Sequence, residues 1–204
     1  MFIAVDCETS GLVQFKMPSE HPDQPFIVTL AIIELNSETL IERAAHHFLL
    51  RPPLGRVIPE EITKIHGITT ERALDEGNPA EEALSLYASM RRQCTGSVAH
   101  NAPFDLRMLR IEFLRAGKTK EWIDELEASS KQFCTQTIAT PVLRLPPTEK
   151  MKRAGFNRPK SPNLAEAYRM LCGGEFDDAH GALEDARVCA KVFKVLRDEG
   201  HVTL

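Results

Sequence analysis

Three short acidic motifs, separated by long stretches of chain, constrain this fold more than any other sequence feature. VDCET carries Asp6 and Glu8, HNAPFD carries Asp105, and HGALED carries His180 and Asp185. The first motif ends an apolar, strand-like run, and the last opens an amphipathic helix. Clustered carboxylate oxygens are preferred ligands of Mg²⁺ and Mn²⁺, which also bind phosphate groups. A fold that brings these motifs together therefore predicts a metal-dependent phosphodiesterase.

All three motifs in this order resemble the DEDD superfamily of 3′–5′ exonucleases, over about residues 2–196. The resemblance is to the subgroup whose third motif is a histidine, four residues and an aspartate. That subgroup includes proofreading subunits of bacterial replicative DNA polymerases, ribonuclease T, oligoribonuclease and phage exonucleases. The resemblance implies one α/β exonuclease domain over residues 1–204, with a ribonuclease H-like fold: a mixed five-stranded sheet with helices on both faces.

The resemblance also implies a role for each acidic residue. Asp6, Glu8 and Asp185 would be direct ligands of two Mg²⁺ or Mn²⁺ ions, and Asp105 would serve the second ion largely through water. His180 would be the general base, which suits a side chain whose pKa lies near neutrality. All five are predicted to be catalytic, in a two-metal mechanism that releases nucleoside 5′-monophosphates.

The motifs leave the substrate open. DNA 3′ ends, single-stranded or frayed, are the leading prediction, and a DNA polymerase is a predicted partner. An exoribonuclease acting on short RNA or RNA 3′ ends is the alternative, because recognition of the 2′-hydroxyl depends on pocket details. A third interpretation is a nucleic-acid-binding module without catalysis, although clustered carboxylates without metal would repel phosphate.

Several substrate contacts are predicted near the motifs. By resemblance, Thr9 and Leu12 after the first motif and His66 in IPEEITKIHGIT would face the terminal nucleotide, although His66 fits a structural helix end equally well. His100 and Asn101 end the preceding strand and are expected to organise the turn of the second motif. Phe104 is either a core residue, which is the favoured interpretation, or a stacking surface for a base.

A basic segment, Leu145–Ser161, interrupts the regular pattern with prolines, a glycine and five cations. It is expected to be a long loop without regular structure, and such loops are either functional or disordered. Lys152, Arg153 and Arg158 are therefore candidate contacts to the substrate backbone, with a merely solvated loop as the alternative.

Composition is ordinary for a globular chain, with 43% hydrophobic residues among 204. The net charge of −4 is unusual for a protein that binds nucleic acid by charge, and bound cations would supply the missing positive charge. The longest apolar run, Phe26–Ile33, is too short to span a bilayer, and no signal-like region is present, so no membrane association and a cytoplasmic location are expected.

The five cysteines form no CxxC pair, which argues against disulfide and zinc sites and favours buried thiols. Among them, Cys7 lies between two candidate ligands, and strand alternation points it to the opposite face of the sheet.

Hydrophobic periodicity and turn residues give a coarse secondary-structure prediction. Strands are expected over Phe2–Val5, Phe26–Leu35, Leu40–Leu50 and Ser97–His100. Helices are expected over Pro59–Ile65, Ala80–Arg92, Phe104–Ala116, from a cap at Asn163 to Cys172, and over Gly181–Asp198. The segment Phe133–Ile138 fits either a strand or the start of a helix. The Asn36-Ser37 turn between the second and third strands predicts an antiparallel pair.

Overall fold

A computed structural model describes residues 1–176 and 181–204. Its sheet has five strands in the order β3-β2-β1-β4-β5. The strands are β1 Phe2–Thr9, β2 Ile27–Leu35, β3 Glu42–Leu49, β4 Gly96–Ala99 and β5 Lys131–Cys134. The pairs β1/β2 and β2/β3 are antiparallel, whereas β1/β4 and β4/β5 are parallel. The mixed five-stranded sheet is thus confirmed, with β1 at its centre.

Helices follow the strands along the chain and cover the sheet. Their bounds are α1 Glu60–His66, α2 Thr70–Glu76, α3 Ala80–Gln93, α4 Ala102–Arg115, α5 Lys120–Ala128, α6 Thr135–Leu143, α7 Glu149–Arg153, α8 Leu164–Cys172 and α9 Ala182–Asp198. Within the described ranges, no helix combines the length and apolar character needed to cross a membrane.

Strand alternation gives β1 two different apolar faces. Ile3, Val5 and Cys7 are buried in one cluster with residues of α3 and α4. Phe2 and Ala4 are buried in another cluster, with residues of α9. Because successive side chains of a strand point to opposite faces, the helices lie on both faces of the sheet, as expected.

The central strand extends well beyond its parallel neighbour. The register of β1 with β4 ends at Ala4 and Val98, whereas β1 stays paired with β2 as far as Thr9. The part of β1 that carries the first acidic motif therefore has a strand on one side only. This difference in length opens a gap in the sheet beside that motif.

The predicted elements agree with the structure except in a few places. β1 runs to Thr9, four residues past its predicted end, and β3 begins at Glu42 because Leu40 has a positive φ of 55°. The segment Phe133–Ile138, predicted as either a strand or the start of a helix, contains both. β5 ends at Cys134 and α6 begins at the next residue.

Two helices were not predicted, and the basic segment is more regular than expected. α2 and α5 are short, but each begins at a threonine, Thr69 or Thr119, whose side chain accepts a backbone hydrogen bond. The basic segment contains α7, and the N–H of Lys160 donates to the carbonyl of Leu145 at 3.0 Å. The segment is therefore a loop that contains one short helix and whose two ends are hydrogen-bonded to each other. The expectation of an irregular loop was wrong.

Candidate metal centre

Asp6 and Glu8 lie on β1 and follow Phe2 and Ala4 in alternation, so they face α9. Asp185 lies in the first turn of α9, where its N–H donates to the carbonyl of Gly181 at 3.0 Å. One carboxylate oxygen from each of the three acidic residues lies within 4.8 Å of the other two. The first and third sequence motifs therefore meet at one point.

Small side chains let α9 approach the sheet closely enough for this meeting. Ala182, Ala186 and Cys189 are fully buried and belong to the same cluster as Phe2 and Ala4 of β1. Larger residues there would push the helix axis away from the sheet, because protein interiors are close-packed. The position of Asp185 is thus set by the packing of α9 residues that lie within about one helical turn on either side of it.

The electrostatics of the cluster are unfavourable without a cation. Burial raises the pKa of Asp6 well above its ordinary value, and the charges of Asp105, Asp185 and Glu8 raise it further. Carboxylate oxygens suit hard divalent cations such as Mg²⁺ and Mn²⁺. Among the described residues this three-member cluster contains no sulfur or imidazole ligand. The donor set therefore fits Mg²⁺ or Mn²⁺ better than a structural zinc ion.

Asp105 is not part of this three-carboxylate cluster. It lies in the first turn of α4, it is only 4% exposed, and its Oδ1 atom accepts a hydrogen bond from Sγ of Cys7 at 3.4 Å. Burial raises its pKa to about 7, and hydrogen bonds from the Cys7 thiol and from backbone amides partly oppose that rise. Cys7 packs on the face of the sheet opposite to Asp6 and Glu8, as alternation predicts.

The second motif is held in place by the first of the two residues that were expected to organise its turn. His100 follows β4, with Nδ1 2.8 Å from Oγ1 of Thr135 and Nε2 3.1 Å from the carbonyl of Pro162. A carbonyl only accepts, so Nε2 carries the proton and Nδ1 accepts from the threonine hydroxyl. Burial lowers the pKa of His100, in keeping with a neutral ring. His100 thereby fixes the second motif to α6 and to the segment before α8.

Asn101 precedes α4 in the left-handed conformation, with a φ of 61°. This places a sharp turn between β4 and α4, as expected for a residue that organises the turn, because asparagine tolerates this conformation better than most residues. Phe104 packs against the buried cluster that contains Cys7, in agreement with the core interpretation.

The other predicted substrate residues differ widely in exposure. Thr9 is 8% exposed and its hydroxyl donates to the carbonyl of Gly11 at 2.8 Å, whereas Leu12 is 83% exposed. Nδ1 of His66 accepts from the N–H of Ile68 at 3.1 Å, just past the end of α1. His66 thus has a structural contact, and its role toward substrate stays a prediction. His180 lies outside the described residues.

The three predicted cations of the basic segment are exposed. Lys152 pairs with Glu149 at 2.8 Å, and the guanidinium of Arg158 lies 5.6 Å from the ring centroid of Phe156. Arg153, at the end of α7, has no ion pair in the described part of the chain. Pro162 follows this segment, and its carbonyl contacts His100 of the second motif. The C-terminal end of the basic segment therefore lies beside the second motif.

Comparison with known proteins gives consistent matches. The model of the RNase T family, described as exonuclease, matches residues 3–193. The DNA polymerase III subunit epsilon of Rickettsia prowazekii is 30% identical over 198 residues, which cover 95% of this chain and 72% of that protein. The PolC-type DNA polymerase III of Thermotoga maritima is 28% identical over 195 residues, 94% of this chain but only 11% of the polymerase.

Solved structures share the fold. Exonuclease I of E. coli in complex with a dT13 oligonucleotide matches with a TM-score of 0.73 and 18% identity, over 96% of this chain and 40% of that one. Exonuclease X in complex with 5′ overhanging duplex DNA matches with a TM-score of 0.59 and 21% identity, over 100% of this chain and 95% of that one. At this level of identity the likeness establishes the ribonuclease H-like exonuclease fold.

Proposed function

This chain belongs to the RNase T family of DEDD 3′–5′ exonucleases, and on that basis we propose that it removes nucleotides from DNA 3′ ends and releases nucleoside 5′-monophosphates. The observation that carries the proposal is the meeting of Asp6, Glu8 and Asp185 within 4.8 Å. Three partly buried carboxylates at such separations repel one another, and a divalent cation removes that repulsion.

Each residue has a distinct part in the proposed reaction. Asp6, Glu8 and Asp185 would hold two Mg²⁺ or Mn²⁺ ions, with Asp105 orienting the second from α4. When bound, such ions would supply the positive charge that favours ionisation of the attacking water and stabilises the leaving 3′ oxygen. His180 would accept the proton of that water as a general base, a role that suits histidine because the ordinary pKa of an imidazole lies near neutrality.

Substrate binding would extend from this centre in two directions. Leu12, which is largely exposed just after β1, and His66 at the end of α1 would contact the terminal nucleotide. Thr9 and Phe104 would shape the binding site of that nucleotide from within the scaffold, and the exposed Asn101 would do so from the turn before α4. Lys152, Arg153 and Arg158 would contact phosphates farther along the strand.

The preference for DNA is supported by what the related proteins are. The relatives are named as DNA polymerase III subunits or polymerases, and the similar structures hold DNA. Association with a DNA polymerase is proposed on the same ground. Since this chain spans 11% of the PolC-type relative, the other activities of that polymerase are not attributed to it.

The test is degradation of matched oligonucleotides labelled at the 5′ end. DNA and RNA of one sequence, single-stranded and duplex, are incubated with Mg²⁺, Mn²⁺ or chelator beside the variant Glu8→Gln and the exposed control Asp75→Asn. We expect a descending ladder from DNA in either metal, none with chelator or Glu8→Gln, and a normal ladder from Asp75→Asn. Faster digestion of RNA would reassign the substrate, and cutting of a closed circle would refute the exonuclease assignment.

A further inference from the structure

The thiol of Cys7 contacts Asp105, a residue that its position in the sequence between Asp6 and Glu8 does not predict as a partner. Sγ of Cys7 donates to Oδ1 of Asp105 at 3.4 Å, although the two residues are 98 positions apart in the chain. Cys7 is 6% and Asp105 4% exposed. A buried carboxylate needs hydrogen-bond donors, and a thiol is a weak donor.

This contact exists because of the gap beside β1. β4 stops pairing with β1 at Ala4, and the turn at Asn101 then sends the chain into α4. The first turn of α4 brings Asp105 beside the unpaired part of β1, where the thiol meets it. β1 therefore carries two of the three clustered carboxylates and also holds the carboxylate of the second motif.

The orientation of Asp105 matters for the neighbouring cluster. Asp105 is outside the three-carboxylate cluster, but its contact with Cys7, which lies between Asp6 and Glu8 on β1, places it beside that cluster. The thiol of Cys7 donates to this carboxylate beside the backbone amides of Asp105 and Cys7, and so helps to fix its direction relative to β1. The side chain of Cys7 packs on the opposite face of the sheet from Asp6, so its side-chain contact with the acidic residues is the one with Asp105.

We propose that Cys7 is a positioning residue, whose thiol holds Asp105 in the orientation that serves the second divalent cation. The inference rests on the proposed function, because it concerns the same cation site. The role of Cys7 is inferred from its contact with Asp105, a residue distant in the sequence, and not from its position between Asp6 and Glu8. Removing a residue that orients a ligand costs typically 10–100-fold in metal affinity, and a thiol is a weak donor, so the lower end of that range applies.

The experiment measures Mn²⁺ binding to the full chain by calorimetry, with no nucleic acid present. We expect two sites in wild type. In Cys7→Ala one site should weaken by roughly tenfold while the other stays within about twofold, and Cys7→Ser should restore the weakened site because it keeps a donor. Asp105→Asn should weaken the same site, and Cys7→Ala should add nothing further to Asp105→Asn, since both changes remove one interaction.

A matched control separates positioning from packing. Cys94 is 5% exposed and its thiol contacts the carbonyl of Arg91 and Oγ of Ser130, so Cys94→Ala makes the same chemical change in another part of the core. Thermal melts of all variants record folding. With substrate, Cys7→Ala should lower kcat at unchanged KM, and Cys94→Ala should leave both unchanged.

The inference is overturned if Cys7→Ala binds both ions like wild type, if Cys94→Ala weakens Mn²⁺ binding equally, or if the losses in Cys7→Ala and Asp105→Asn add. Absence of Mn²⁺ binding by wild type would instead overturn the metal dependence on which the proposed function stands. The wild-type titration thus distinguishes the two failures.

Discussion

Replacing Asp6 by asparagine should stabilise the metal-free protein and abolish activity. Asp6 faces Glu8 and Asp185 with carboxylate oxygens within 4.8 Å. Two like charges at that separation repel by about 3 kcal/mol at an effective dielectric constant near 20. Proton uptake and solvent screening reduce this repulsion, because burial and the same neighbouring charges raise the pKa of Asp6. A net gain of roughly 1–3 kcal/mol in the free energy of unfolding remains at alkaline pH.

The assay pairs thermal melts with turnover. For a chain of this size, each kcal/mol shifts Tm by about 2–4 °C, so Asp6→Asn should melt roughly 2–10 °C above wild type in chelator at pH 8. Mg²⁺ should raise Tm of wild type strongly and that of Asp6→Asn little, since the cation stabilises the folded state by binding it. Turnover in Mg²⁺ should fall by about a thousandfold, which is ~4 kcal/mol of transition-state stabilisation.

A higher Tm together with a lower turnover is the result expected when the replaced carboxylate is a metal ligand that its like-charged neighbours destabilise. The exposed control Asp75→Asn should change neither quantity. If Asp6→Asn melts below wild type in chelator, the carboxylates are stabilised by other contacts and the repulsion argument fails. If its turnover in Mg²⁺ stays near that of wild type, Asp6 is not a metal ligand.

Three further predictions concern the rest of the site. Neutralising Lys152, Arg153 and Arg158 together should raise KM and flatten the salt dependence of substrate binding by up to ~3 units of slope at unchanged kcat, and an unaltered slope would show that these cations are only solvated. His180→Ala should lose about 10²–10⁴-fold in rate, less at alkaline pH, while still binding metal, and an unchanged acidic limb in its pH–rate profile would exclude His180 as the base. Because the pKa of Asp105 is raised from 3.8 to about 7, the metal-free protein should be most stable below pH 4 as far as this group is concerned and lose that stability as pH rises through 7. Melts in chelator across this range should show the decline, and Asp105→Asn should flatten it.

Local sequence patterns were sufficient where one strong signal dominated. The apolar run of β2 and the periodicity of α9 predicted their elements to within one residue at each end. The Asn36 turn predicted the hairpin because its Oδ1 accepts from the N–H groups of Glu38 and Thr39. α5 was missed because only Ile123 and Leu126 of its nine residues are buried, which is too few to give a clear periodic pattern.

The site could be predicted only as far as its residue types. Asp6, Glu8 and Asp185 were selected by motif, and the structure places them together. The partner of Asp105 was not predictable, because it depends on where β4 stops pairing with β1. His100 was expected to organise the turn, but its partners were not predictable, since Thr135 and Pro162 lie 35 and 62 positions farther along the chain. Contacts of this kind follow from strand lengths and helix entry angles, which local propensity does not encode.

The geometry also explains how the chain tolerates its charge. A net charge of −4 disfavours binding to a polyanion at long range. In the proposed reaction, divalent cations held by the clustered carboxylates would supply the positive charge that a phosphate group requires there. The close approach of α9 to β1 through Ala182 and Ala186 supplies the packing energy that holds the like charges together. Substitutions that enlarge either alanine should therefore weaken metal binding before they unfold the chain, because displacing α9 moves Asp185 away from Asp6 and Glu8.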